Sequence, residues 1–553
     1  MSKKTANESA PETWFRKNRK KLLLFFITGG FILSLMSFNA KISEAHDDAL
    51  YLEGGWRFVH EFPHYFYTQN APLYPMFLAI CIRIFGFKLL LLKFFSVLFY
   101  LGSIVFTFLA LEGVIPVVIF LVILFFQTFN YQILYFSGMT FTESFYFFLQ
   151  SWMFFAFRKF YSSSGFPNEK AIHRHAILLA LTFFLIGLCK SASVVLVPAY
   201  VFFVLTIYLK NKDVKGLKTS LLVILYYIGF RGMYEVLVRL ILKGQSQFKD
   251  QLKILLQKDP YDITQGQEDL SGFIQRFLDN TELYLSKRFF QILGWMSENS
   301  TETKPELAFL MVILIVWGII ICYRKNNYYL YFFGLFAFFQ SILSFIILQT
   351  RWDQARIILI NMPILIPLIL FLMHEKIARF FAGKILYYFL SVLIVVSGLM
   401  SSVKRAWKNY PVALRNLSGD KYYGYTPDWI NFLKCSEWCA DSLPPGSLVA
   451  SRKAPMSFVY GKGKRFFPVY SVVKRDTATG QSNPDSALAY FRKNGVTHIM
   501  MPQLRLDPNN PGAGFINTIH NILEPIQKKY PDKLKLIHTE GQFEECYLFE
   551  FKY

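Results

Sequence analysis

Cysteine, acidic side chains and glycine-rich loops are all scarce here. Six of 553 residues are cysteine, too few and too scattered for a disulfide framework. Cys81, Cys189 and Cys322 lie in or beside apolar runs, the ordinary place for a small buried thiol. Cys435, Cys439 and Cys546 fall in a polar C-terminal part that has room for one disulfide if it is exported. The stretch "CSEWC" is followed by no second Cys or His pair at ligand spacing, so it carries no zinc signature. No phosphate-cradling loop follows a strand, because "YGKGKRFF" (460–467) lacks both the spacing and the helix. That segment reads as a turn between strands, with sugar or phosphate contact as the lesser alternative. Internal repeats and low-complexity stretches are not evident. Acidic residues number 37 against 59 Lys and Arg, a formal charge of +22. The basic excess sits in short segments between apolar runs, the pattern of cytoplasmic loops beside anionic headgroups, and this argues against nucleic acid as a partner.

What the sequence has in abundance is apolar surface. Hydrophobic residues make up 54% and aromatics 18%, with a mean hydropathy of +0.32, more than a soluble chain of this length needs for its core. The composition predicts a polytopic α-helical membrane protein. Spans are expected at 22–38, 90–112, 114–134, 143–157, 176–190, 192–209, 219–242, 306–323, 328–348, 357–373 and 385–402, since crossing the hydrocarbon takes about 20 apolar residues. The first is read as a retained helix, because no small-residue cleavage site precedes the polar loop after it. Placing Arg16, Lys17, Arg19, Lys20 and Lys21 (within 1–21) in the cytoplasm also puts the other basic connections there. The odd number of spans then sends 39–89, 135–142, 243–305 and the tail 403–553 outside. "PLYPMFLAICIRIFG" (72–86) is short and proline-led, an amphipathic helix on the outer surface rather than a span. The tail alternates short β-rich runs ("SLVAS", "VTHIMM", "CYLFEF") with helical patterns ("SALAYFRKNG", "FINTIHNILEPIQKKY") and turn signals ("LPPGS", "NNPGAG"), which predicts a small extracytoplasmic α/β domain.

This topology gathers polar residues at one face. They are His46, Asp47, Asp48 and Tyr51 in "SEAHDDALYLEGGW", Glu143 in "SGMTFTESFYFF", Lys190 in "GLCKSASVV", and Arg351, Asp353 and Arg356 in "LQTRWDQARIILINMP". Adjacent carboxylates repel and resist desolvation, so Asp47 and Asp48 mark a wet loop, a cation site or a catalytic site. Glu143 opens a membrane helix, where a carboxylate is rare, although it also complements the helix dipole. For Arg356, phosphate binding and snorkelling to headgroups weigh about equally. Together these groups suit a lipid phosphate ester held by Arg and Lys while a carboxylate accepts the proton of an attacking hydroxyl. His46, Asp47, Asp48 and Glu143 offer hard ligands to a divalent ion, yet no spacing rule demands one. Tyr51, Trp56 and "FPHYFYTQN" fit an interfacial belt better than an acceptor-sugar platform. His60 and His64 are isolated. The loop 243–305 reads as amphipathic helices packed over the site.

At these residues the sequence resembles the GT-C superfamily of polyprenyl-phosphate-sugar-dependent glycosyltransferases, in particular the protein O-mannosyltransferase and lipid A aminoarabinose transferase group. The resemblance rests on the order of elements: a first span, an outer loop with "DDALY", then "APLYPMFLAICIRIFG", two spans and a "TE" at the next outer loop. "QARIILINMP" is similar to the Q-x-R-Y-x-x-x-x-x-P stretch of that group. It implies an inverting single displacement from a polyprenyl-phosphate sugar to a hydroxyl of a glycan, lipid or protein, in the cell membrane. Asp47 matches the first acid of the family pair, the proposed base, and Asp48 the second. Glu143 matches the second-loop acid, which positions substrate, base or metal. Arg356 matches the arginine near the donor phosphate, with Arg351 or Lys190 beside it, and Tyr51 and His46 fall among substrate contacts. Three departures stand out: Asp48 for Glu, Ile357 for Tyr, and Lys190 where Arg is commoner. The first leaves open whether Asp48 is itself the base or part of a metal site. A transporter or lipid flippase is the chief alternative, but such proteins usually place charges near the bilayer midplane. A noncatalytic scaffold leaves the Asp47, Glu143 and Arg356 arrangement unexplained.

Overall fold

The computed structural model describes residues 10–67, 69–163, 169–242, 254–259, 266–470, 479–505 and 514–553. The chain separates into two compact units, one of Met1–Phe38, Glu61–Met76 and Lys88–Ala413, the other of Asn39–His60, Phe77–Phe87 and Leu414–Tyr553.

The first unit is helical. Among the described residues, eight helices are long and apolar enough to cross a membrane, or nine if the bent pair Val117–Phe129 and Tyr131–Ser137 counts as one span. The other two expected spans fall on Thr142–Ser163, which carries Glu143, Arg158 and Lys159, and on Met362–Leu372, only 11 residues long. The 72–86 segment forms a 13-residue helix, Leu73–Phe85, too short to cross as a helix. Side chains that hydrogen-bond between helices hold this unit, as expected where lipid supplies no hydrophobic drive for helix association. Thr107 and Ser151 hydroxyls meet at 2.8 Å, Ser34 and Ser137 at 2.9 Å, and Gln127 Nε2 donates to Ser103 Oγ at 2.9 Å. Phe157 stacks on Phe332 at 4.7 Å in a buried aromatic cluster that includes Phe203. At Asn130 the bent pair turns by 47°. The Asn130 side chain accepts from Gln132 N and Ile133 N and donates to Ile292 O, so the break leaves its polar groups satisfied.

The expected amphipathic segment runs as a helix over Leu270–Glu282, a π turn over Leu283–Arg288 and a last turn to Ile292. It is anchored to the bundle. Asn280 Nδ2 donates to Phe345 O and Leu348 O, the open carbonyls at the end of the Tyr328–Ile347 helix. Residues 243–253 and 260–265 of the expected outer loop lie outside the described residues.

The second unit holds a five-stranded sheet of β1 (Val449–Ser451), β2 (Phe466–Pro468), β3 (His498–Met501), β4 (Leu534–Glu540) and β5 (Cys546–Phe551), in the order β2-β1-β3-β5-β4. β1 runs parallel to β2 and β3, while β3–β5 and β4–β5 are antiparallel. Helices Pro484–Lys493 and His520–Lys529 lay Ala487, Phe491, Ile522 and Ile526 against Ala450, Ile499 and Phe551. The Pro427–Ser442 helix buries Phe432, Cys435 and Cys439 and packs on β4 and β5. All six cysteines are free and buried, so no disulfide links the C-terminal three.

Three local expectations change. "YGKGKRFF" joins a helix, Ala454–Tyr460, to β2 rather than two strands; at its turn Gly463 has φ +90° and a Cβ there would stand 3.4 Å from Trp56. The helix expected at 515–530 begins only at His520. A single helix, Phe381–Leu417, runs through position 402, where the sequence suggests the tail begins. Of the "NNPGAG" turn, 509–513 lie outside the described residues.

Candidate active site

The expected site residues divide between the two units. In the helical unit, Glu143 lies in the first turn of Thr142–Ser163 and is wholly buried. Lys190, directly after the Glu169–Cys189 helix, brings Nζ to 2.8 Å from Glu143 Oε1. The partner oxygen, Glu143 Oε2, is shut off from solvent without a hydrogen-bond partner among the described residues. Gln340 Nε2 donates to Tyr146 Oη at 3.1 Å and to Ser193 Oγ at 3.0 Å. The Lys190 ammonium stands 5.9 Å from the Tyr146 ring, so this network backs the ion pair. Arg356 is half-buried, donates from Nε to Gln354 Oε1 at 2.6 Å, lies 5.3 Å from the Phe141 ring and is near enough for its charge to act on Glu143. Arg351 falls in the turn Thr350–Trp352, and its side chain lies outside the described residues.

Asp353 answers to a partner that sequence reading misses. The π turn aims Lys287 Nζ to 2.9 Å from Asp353 Oδ2 and Arg288 Nε to 2.5 Å from Oδ1. Burial alone raises the Asp353 carboxyl, but these bonds hold it below its ordinary range. Asp353 is therefore committed to fixing the turn before Arg356. Lys93 was also missed: it is fully buried in Leu89–Leu111, with Nζ 3.5 Å from Met139 Sδ. A lysine inside an apolar run is costly enough to be a signal by itself.

In the second unit, Asp47 and Asp48 open the Asp47–His60 helix. Asp48 is fully buried and accepts from Ser43 N at 3.0 Å, Ser43 Oγ at 3.0 Å and Ala49 N at 3.1 Å. Its carboxylate pins its own loop. Asp47 is partly exposed beside it. His46 has φ 60°, uncommon for a residue with a side chain, and its ring stacks on Tyr470 at 5.7 Å. Lys453 Nζ donates to Glu44 O at 2.6 Å and lies 3.2 Å from His46 Nδ1. Burial, then the charges of Lys453 and Arg452, lower His46 to about 3, leaving a neutral ring. Burial and Arg452 likewise lower Lys453 to about 8, against the pull of Asp47 and Glu44. Tyr51 is buried within the helix. Side chains of its unit tie down the main chain of this loop: Ala40 N donates to Asn416 Oδ1, and Tyr425 Oη accepts from Ile42 N and donates to Ile42 O.

No family model and no curated protein sequence matches the chain. Solved structures do. ArnT of Cupriavidus metallidurans bound to undecaprenyl phosphate superposes with a TM-score of 0.53 at 11% identity, covering 96% of this chain and 98% of that one. The chain has the GT-C fold. The oligosaccharyltransferase of Archaeoglobus fulgidus, solved with a tethered acceptor peptide, matches with a TM-score of 0.50 at 13% identity over 88% of this chain and 70% of that one. As to a metal, no group of three His, Cys, Asp or Glu side chains among the described residues stands as an ion's ligands would. Asp48 spends its oxygens on Ser43 and Ala49, and Glu143 spends one on Lys190.

Proposed function

We propose that this GT-C chain is a membrane glycosyltransferase that moves a sugar from a polyprenyl-phosphate donor to an acceptor hydroxyl on the extracytoplasmic face of the cell membrane, inverting the anomeric carbon. The acceptor is a glycan, lipid or protein. The observation that carries the reading is the buried Glu143–Lys190 pair with the Arg356 charge beside it, in a fold shared with a protein that binds undecaprenyl phosphate. Fixed cations in a low-dielectric site stabilise a leaving phosphate without needing a proton donor.

In this reaction the acceptor oxygen attacks the anomeric carbon as the bond to the phosphate oxygen breaks. Asp47 takes the acceptor proton, because Asp48 is occupied by its own loop. Lys190, Arg356 and the buried Lys93 hold the departing phosphate, with Arg351 five residues before Arg356 in sequence. Glu143 orients Lys190 through one oxygen and offers the other to a donor-sugar hydroxyl. His46 and Tyr51 shape the acceptor side.

The flippase alternative draws on one observation, the 47° bend at Asn130. Transport folds pair such breaks across a repeat, and here the capped break stands alone among the described residues. The test is purified protein with a panel of polyprenyl-phosphate sugars and an acceptor extract, measuring free polyprenyl phosphate. The proposal expects release with at least one donor and its loss in Arg356→Ala. Donor movement between leaflets without release would favour the flippase.

A further inference from the structure

The two helices that carry the Glu143–Lys190 pair bear a second charged cluster at their other ends. Glu143 and Lys159 lie sixteen residues apart on one helix, as do Arg174 and Lys190 along the next, a rise of roughly 24 Å. At this far end a cavity of about 570 Å³ opens between the helices, lined by Lys159, Arg174 and His175 and, up to two turns nearer the helix centres, by Phe155, Ile177 and Leu181. None of its lining residues is acidic. His175 Nδ1 is closed off from solvent without a hydrogen-bond partner among the described residues. The neighbouring Arg158 is turned away, donating to Leu109 O at 2.7 Å.

We infer that this cavity binds an anionic glycerophospholipid, with Lys159 and Arg174 on the phosphate, His175 as a further polar contact and an acyl chain along Phe155, Ile177 and Leu181. The gradient from basic rim to apolar wall matches the lipid's own gradient, and basic pockets between membrane helices suit such headgroups. A water-soluble phosphate would leave the apolar wall uncovered. The polyprenyl carrier is disfavoured because its reacting phosphate belongs, on the proposed function, at the opposite end of these helices. That exclusion of the carrier rests on the proposed function; the basic rim and apolar wall of the cavity do not.

The test is native mass spectrometry of the full chain from detergent, titrated with phosphatidylglycerol or phosphatidylcholine. We expect one tightly held phosphatidylglycerol per chain, with affinity falling roughly thirtyfold in Lys159→Gln/Arg174→Gln, since each cation near an anionic headgroup contributes about a factor of five. Leu181→Trp, which fills the apolar wall and keeps every charge, should also weaken retention. Melting temperature without lipid checks that each variant is folded. Equal retention of the two lipids, an unchanged double variant, or displacement by inorganic phosphate or by equimolar undecaprenyl phosphate would overturn the assignment.

Discussion

Lys190 Nζ stands 2.8 Å from Glu143 Oε1 across the adjoining ends of two consecutive helices; the glutamate side chain has no exposed surface and the lysine 18%. The asymmetry of burial predicts an asymmetry of cost. Removing the lysine leaves a buried carboxylate uncompensated, whereas removing the carboxylate leaves an ammonium that still reaches solvent.

Lys190→Met should therefore cost about 3 kcal/mol and Glu143→Gln nearer 1 kcal/mol, the first being the range for a buried pair broken on one side. Thermal unfolding in one detergent compares them. Equal losses would mean that the pair is wetter than its geometry.

Asp48 accepts three hydrogen bonds from Ser43 and Ala49. Asp48→Ala should destabilise by about 1–3 kcal/mol, the cost of leaving buried donors unsatisfied, and expose the loop before the Asp47–His60 helix to protease. Asp47→Asn, which loses only a partly exposed charge, should lower melting temperature less and leave the cleavage pattern unchanged. The proteolysis gel separates the structural acid from the proposed base.

Lys453 is lowered from 10.5 to about 8 by burial and by Arg452. Between these values the unfolded chain binds the proton and the folded chain does not, so stability should rise as pH climbs from about 8 to 10.5. Below about 8 both states hold the proton and this contribution is flat, so the full swing, about 3 kcal/mol, lies between the two values. Lys453→Met should flatten this part of the stability–pH profile. An unchanged slope would assign it to another group.

Much of the scaffold was legible because it is written locally. Apolar runs of helical length appear as Leu89–Leu111, Pro305–Arg324 and Tyr328–Ile347, and "SLVAS", "VTHIMM" and "CYLFEF" contain β1, β3 and β5. β4 was missed because "LKLIHTE" is an edge strand carrying charge on a half-exposed face, which blurs the apolar alternation. Lys93 disappeared into the average of its run, although one charge in such a run is itself informative. The pairing of Asp353 with Lys287 and Arg288 depends on a π turn, a backbone feature that no residue spacing announces. The grouping of the first loop with the C-terminal sheet unit was equally hidden, since Ala40 and Asn416 meet across 376 residues.

The most direct measurement of the central claim is the rate of sugar transfer from a polyprenyl-phosphate donor by Asp47→Asn, beside the parent protein. A lost general base costs about 10²- to 10⁴-fold, and the account predicts a fall of that size in kcat with donor binding retained. Full activity in Asp47→Asn would contradict the assignment of the base, and absence of transfer by the parent protein from every donor tried would contradict the function itself.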